Sequence, residues 1–294
     1  MSTTLHPPAV DVGGPRWRLE QATDRQLSRA GRLTVGGACR DLHTYVTFIG
    51  YPRSGHSMVG SLLDAHPQAA ISHELDALRF VGEGYDRWRL FHLILSNVRR
   101  TARRGRVQTG YSYAVPGQWQ GRWDALRVIG DKKGGRSTIR LDDDPALISR
   151  LRAVVAIPTR YVLIVRNPFD NAATIARRDV EEVGMAPDAA LGHAVRRYVD
   201  LTERVDRFLA RVAPSDVHIA RHEDFIADPG GSLRHLCGFV GVDPEPRYLE
   251  ACGALLFASP NRSRDAAGWT GAQRERLEAL IARHPFLTGY TFGE

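Results

Sequence analysis

From Tyr45 onward the chain alternates short runs that are apolar at nearly every position with longer stretches spaced for amphipathic helices. Apolar runs without polar alternation mark strands buried on both faces, and their alternation with helices marks a parallel sheet. The pattern predicts strands at Tyr45–Tyr51, Ala69–Ser72, Arg127–Ile129, Arg160–Val165 and Val217–Ala220. Between them, Asp144-Pro145 and Asp228-Pro229 each offer a capping side chain followed by a first-turn proline, the second helix running to about Val240. Pro187–Val212 and Thr270–Arg283 have amphipathic spacing, a helix begins near Ser57, and Tyr85 to about Arg106 reads as a basic helix. Thr109–Trp123, rich in Tyr, Trp, Gly and Gln, is expected as an irregular loop. The expected architecture is α/β, a central parallel sheet flanked by helices. Residues 1–43, rich in Pro, Gly and polar residues with little periodicity, are expected to form a loosely structured extension to one domain spanning 44–294.

With 294 residues, 43% hydrophobic and 25% charged, the chain has a soluble globular composition and length enough for a sizeable core. Its apolar runs are strand-sized, as at Tyr161–Val165, and none approaches a membrane span. No basic segment leads into an apolar one at the N-terminus, so no signal peptide is expected. Cys39, Cys237 and Cys252 lack paired spacing, which suits a reducing, cytoplasmic setting. The net charge of +7 comes with arginine pairs at Arg99–Arg100, Arg177–Arg178 and Arg196–Arg197. Such pairs fit solvated helix faces or a field that draws in a polyanionic small molecule. Aromatic residues are not interleaved with them as a base-stacking platform requires, so nucleic acid is not expected as a partner.

The candidate chemistry begins where the first strand ends. Gly50, Gly55 and Ser57 fit the phosphate-cradling pattern G-x-x-x-x-G-K-[ST], with His56 at the lysine position and Arg53 inside the loop. The N–H groups of Ser54 to Ser57 would converge at a helix N-terminus, a ready anion site. Gly55-His56-Ser57-Met58 also opens like a nucleophile elbow, but Val59 stands where the second glycine belongs. A second strand ends in Arg166, then Asn167-Pro168 turns into a helix that carries Thr174; both could face one anion. Glu74 follows a short strand at the expected carboxyl edge of the sheet, where ligands bind in such folds, and could accept a proton, with neighbouring His73 as competitor. No metal is expected: Ala77 breaks H-E-x-x-H after His73-Glu74, and the cysteines lack zinc spacing.

Taken together these motifs resemble those of sulfotransferases that use 3′-phosphoadenylyl sulfate (PAPS). Pro52-Arg53-Ser54-Gly55-His56-Ser57 is similar to the family's P-[KR]-S-G-[TS]-[TS] loop, with His56 as the departure. Arg166 to Thr174 resembles its 3′-phosphate motif R-[ND]-P-x-D-x-x-x-[ST], with Asp170 as an internal brace. Gly130-Asp131-Lys132 resembles a bacterial pattern whose lysine approaches the sulfuryl group, Lys133 being expected in solvent and Gly134 standing where proline is common. His222-Glu223-Asp224 resembles a structural segment, and Ser259–Arg264 a late loop in which Arg262 or Arg264 would bind the 3′-phosphate. The resemblance, from about Tyr45 to Tyr290, implies a P-loop NTPase-like three-layer fold. It also implies transfer of a sulfuryl group from PAPS to a hydroxyl or amine of a small soluble acceptor, releasing 3′-phosphoadenosine 5′-phosphate (PAP). Arg53, Ser57 and Lys132 would hold the phosphosulfate, Ser54, Gly55 and His56 would complete the loop, and Glu74 would deprotonate the acceptor. The aromatic segment Tyr111–Trp123 and the basic helix before it would wall the pocket. The rivals are a nucleotide kinase or NTPase, a serine hydrolase using Ser57, and a non-catalytic nucleotide binder.

Overall fold

A computed structural model of the chain describes residues 15–108, 111–256 and 259–293. The strands are β1 (Thr44–Gly50), β2 (Ala69–His73), β3 (Val107–Gln108), β4 (Tyr111–Ser112), β5 (Val128–Lys132), β6 (Thr159–Val165) and β7 (Val217–Arg221). The helices up to β6 are α1 (Pro15–Leu27), α2 (Gly31–Val35), α3 (His56–Asp64), α4 (Ala77–Gly82), α5 (Arg87–Arg103), α6 (Gly135–Asp143) and α7 (Ala146–Val155). Beyond it come α8 (Pro168–Val183), α9 (Pro187–Leu209), α10 (His222–Ala227), α11 (Pro229–Val240), α12 (Pro246–Gly253) and α13 (Gly271–Arg283).

Five strands form one parallel sheet in the order β2-β5-β1-β6-β7, so every carboxyl end lies at the same edge. The chain leaves β1 toward β5 and β2, then returns to its other side at β6. That makes β1 the switch point at which such sheets open a crevice. Side chains of the central strands divide between two cores, as two-sided burial requires. Tyr45 and Ile49 of β1 and Leu163 of β6 pack with α5, α8 and α9, while Val46, Phe48 and Val162 pack with α3, α11 and α12. β5 lies so close to β1 that a Cβ on Gly130 would stand 2.2 Å from the Val46 carbonyl oxygen.

The structure departs from the sequence reading in three places. Residues 1–43 were expected as a loose extension; their described part instead forms α1 and α2, with Val35, Cys39 and Leu42 in the core. These helices are too polar to announce themselves, and their contacts are made with α5, far along the chain. β5 continues through Gly130-Asp131-Lys132, which looks like a turn by composition yet is buried throughout. The expected irregular loop contains the strand β4, paired antiparallel with β3 just before the loop; Thr109 and Gly110 lie outside the described residues. That hairpin hangs on Arg106, whose carbonyl accepts the Tyr113 N–H at 3.1 Å and whose guanidinium forms an ion pair with Asp64 inside the protein. Both partners are essentially inaccessible, so removing either charge would strand the other.

Candidate active site

The carboxyl edge opens into a cleft of about 630 Å³. The loop after β1 enters it with Arg53 and Gly55 in left-handed backbone, φ 65° and 93°. Gly55 is obligatory for a second reason: a Cβ there would stand 2.4 Å from Nδ1 of His222. The Ser54 hydroxyl donates to the Tyr51 carbonyl at 3.1 Å, which tightens the turn. With the Asn171 amide oriented to match its neighbours, its oxygen accepts the Ser54 N–H at 3.3 Å. The Ser54 N–H is therefore turned away from the cleft, and the anion cradle is the uncapped N-terminus of α3, where the first N–H groups have no helical partners.

The sequence lacks a lysine in this loop, and the fold brings one from β5. Lys132, buried, donates from Nζ to the Ser57 hydroxyl at 2.9 Å. Its stem runs over Gly60, where a Cβ would lie 3.0 Å from Lys132 Cγ, so this glycine, one residue past the elbow position that Val59 fills, makes room for the cation. His56, in the motif's lysine position, packs its ring over Gly134 and places Nδ1 3.3 Å from the Ser54 hydroxyl. Ser57 has no imidazole bonded to it among the described residues, which leaves the hydrolase reading without a base.

Glu74 sits beside Lys132. Its backbone is left-handed (φ 56°), its N–H donates to the Lys132 carbonyl at 2.9 Å, and its carboxylate pairs with Lys132 and, at 2.7 Å, with Lys133. Lys133, expected in solvent, is therefore part of the site. Burial raises the Glu74 pKa, but the two lysines outweigh it and hold the carboxyl well below its ordinary range. Asp131 fixes the turn from beneath, its carboxylate accepting the Ser72 hydroxyl at 2.6 Å and the Ala77 N–H at 2.8 Å. Asp76 closes the same turn through a two-point pair with Arg140, at 2.7 and 2.6 Å. His73 also lines the cleft, and burial followed by nearby Lys132 drives its pKa well down.

Across β1, Arg166 at the end of β6 donates to the Thr174 hydroxyl at 3.1 Å, to the Arg53 carbonyl at 3.4 Å and to the Asn261 carbonyl at 2.6 Å. Asp170 is a brace, accepting the Arg264 N–H at 2.9 Å. The late loop contributes Ser259, Pro260 and Asn261 to the cleft wall. The expectation for Arg262 and Arg264 is corrected, since neither lines the cleft. Arg262 turns to Asp265 at 3.2 Å, and Arg264 is buried against Asp170 and the Thr291 carbonyl. Of the expected aromatic wall, Tyr111 and Tyr113 reach the cleft; α5 does not. Glu223 is structural, accepting the Asn167 N–H at 2.9 Å and the Tyr290 hydroxyl at 2.7 Å.

His222 was missed by the sequence reading, in which its neighbours looked purely structural. It lines the cleft against Gly55, and its Nδ1 is buried without a hydrogen-bond partner. Burial, then Arg166, pushes its pKa down to about 4; burial, then Lys132, pushes that of His56 to about 3. The unfolded chain takes up these protons first, near the ordinary value of 6.5. The stability tied to neutral rings is therefore full above that pH and is lost as pH falls toward the folded values. Urea midpoints are expected to drop between about pH 6.5 and 4. Replacing His222 with Gln should flatten that slope; identical slopes in both proteins would remove His222 from the account.

The model of the sulfotransferase family matches residues 46–246. Among solved structures, the sulfotransferase domain from the curacin biosynthetic pathway aligns with a TM-score of 0.54 at 17% identity, covering 82% of this chain and 97% of that one. Sulfotransferase STF1 from Mycobacterium tuberculosis H37Rv aligns with a TM-score of 0.50 at 13% identity, covering 88% and 83%. A mouse sulfotransferase complexed with PAP aligns with a TM-score of 0.46 at 14% identity, covering 85% and 88%. No curated protein sequence matches.

Proposed function

The chain belongs to the sulfotransferase family, and on that premise we propose that it moves a sulfuryl group from PAPS to a hydroxyl or amine of a small soluble acceptor and releases PAP. One observation carries this reading: two anion subsites, the α3 N-terminus with Ser57 backed by the buried Lys132, and the Arg166–Thr174 pair, open on one cleft and are joined where Arg166 donates to the Arg53 carbonyl at 3.4 Å. Two anion subsites on one cleft suit a nucleotide with anions at both its 5′ and 3′ positions. Two buried atoms without partners, Arg166 Nε and His222 Nδ1, lie on residues at the same end of that cleft and fit a polar ligand there.

In this reading the first turn of α3, Ser57, Arg53 and Lys132 hold the phosphosulfate and stabilise charge on the departing phosphate. Arg166 and Thr174 take the 3′-phosphate. Glu74 accepts the acceptor's proton as the new oxygen–sulfur bond forms and the bond from sulfur to the 5′-phosphate oxygen breaks. The phosphosulfate draws part of the lysine charge away from Glu74, which restores basicity that the ion pairs suppress. Positioning and charge stabilisation do most of the work, as in phosphoryl transfer.

Calorimetry with PAP, and with ATP plus Mg²⁺, tests the reading. PAP is expected to bind and ATP–Mg²⁺ not to compete with it. Binding of ATP without binding of PAP would return the chain to the kinase reading.

A further inference from the structure

The cleft carries more positive charge than the proposed nucleotide needs. PAPS brings about four negative charges at neutral pH, given roughly two for a phosphomonoester. Arg53, Arg166 and the α3 N-terminus already face it, with Lys132 buried just behind Ser57. Several cations in the cleft have protein partners: Lys133 is held by Glu74, and Arg53 and Arg178 by Glu182, at 3.3 and 3.5 Å. Two do not. Arg136, in the first turn of α6, and Arg197, on α9, both line the cleft, are exposed, and make no ion pair among the described residues.

Their place in the fold sets Arg136 on the side of the cleft that carries Glu74, with Arg197 facing it from the helix between α6 and α8. Arg166 and His222 follow β6 and β7, on one side of β1; Glu74 and Lys132 belong to β2 and β5, on the other. Arg136 follows β5 and so stands on the Glu74 side. Next to it Gly135 packs on the loop, where a Cβ would lie 3.2 Å from Pro52. Helix α9 packs on both α8 and α6, and Ile139 and Leu201, about one helical turn beyond the two arginines on the same faces, line the cleft with them. This wall thus offers the half-buried Ile139, backed by Leu201, and two guanidiniums without counter-charges.

We infer that this wall binds an acceptor carrying its own anionic group, a carboxylate or a phosphate, besides the hydroxyl that is sulfated. The inference rests on the sulfotransferase reading above. Planar guanidiniums form two-point, charge-assisted hydrogen bonds with both anions, whereas a neutral acceptor leaves them in water. The anion also anchors the acceptor at a distance from the hydroxyl, which Glu74 then meets.

The test is calorimetry on PAP-saturated protein with 4-hydroxybenzoate, 4-hydroxyphenyl phosphate and the neutral methyl 4-hydroxybenzoate. At least one anion is expected to bind about tenfold or more tightly than the ester. The tighter of the two distinguishes carboxylate from phosphate. The double variant Arg136→Gln/Arg197→Gln should abolish that preference with PAP affinity and thermal midpoint unchanged. The control Arg234→Gln/Arg247→Gln removes the same charge from exposed positions on α11 and α12 and should retain it. Anions that bind no better than the ester, or a preference that survives the double variant, would overturn the inference while PAP binding stands. Wild-type protein that does not bind PAP would instead overturn the sulfotransferase reading beneath it.

Discussion

Glu74→Gln is expected to lower turnover by about 10²–10⁴-fold, the range for loss of a positioned general base, while PAP binds at least as tightly as before. Two effects separate here. Gln cannot take the acceptor's proton, so the chemical step loses its base. Its amide oxygen still accepts from Lys132, so the buried ammonium is not left without a hydrogen bond. Meanwhile both lysines, which in the free protein are held on the Glu74 carboxylate, gain charge to offer an anion. Single-turnover assays with labelled PAPS, set beside PAP calorimetry, measure the two quantities. Unchanged turnover would remove Glu74 from the mechanism and move attention to His73. Weakened PAP binding would mean that the residue shapes the site more than it acts in it.

Arg166→Met is expected to weaken PAP binding by about 10–100-fold, from the loss of charge-assisted hydrogen bonds worth roughly 1.5–3 kcal/mol, while adenosine 5′-phosphate binds almost as before. Met keeps much of the apolar stem in a buried position, which limits the packing loss. The contrast between the two nucleotides is the informative quantity, because they differ in the 3′-phosphate. Equal weakening of both would assign Arg166 to holding the loop through the Arg53 and Asn261 carbonyls, to which it also donates.

Much of the fold was legible in the chain because two-sided burial leaves a local mark. β1 and β6 are apolar at most positions, and their motifs follow closely, Pro52 one residue beyond the end of β1 and Arg166 directly after β6. β5 was read short because Gly130, Asp131 and Lys132 look like a turn, and only a buried strand edge explains them. Asp131 serves the turn that carries Glu74, with burial pushing its pKa up to about 6. The helical character of the segment before β1 was invisible because much of its packing is made with α5, far along the chain.

The candidate site divides along the same line. The left-handed Gly55, the uncapped start of α3 and the Arg166–Thr174 spacing depend on neighbours a few residues apart, so they are written in the local sequence. Strand order and the packing of α9 on α6 decided the rest: Lys132 at Ser57, Lys133 on Glu74, His222 under Gly55, Arg136 with Arg197, and Arg262 and Arg264 turned out of the cleft. The physical reason is range. Backbone conformation and burial pattern are set by local sterics and hydrophobic periodicity, whereas charges contributed by four different strand ends meet only after the sheet has assembled.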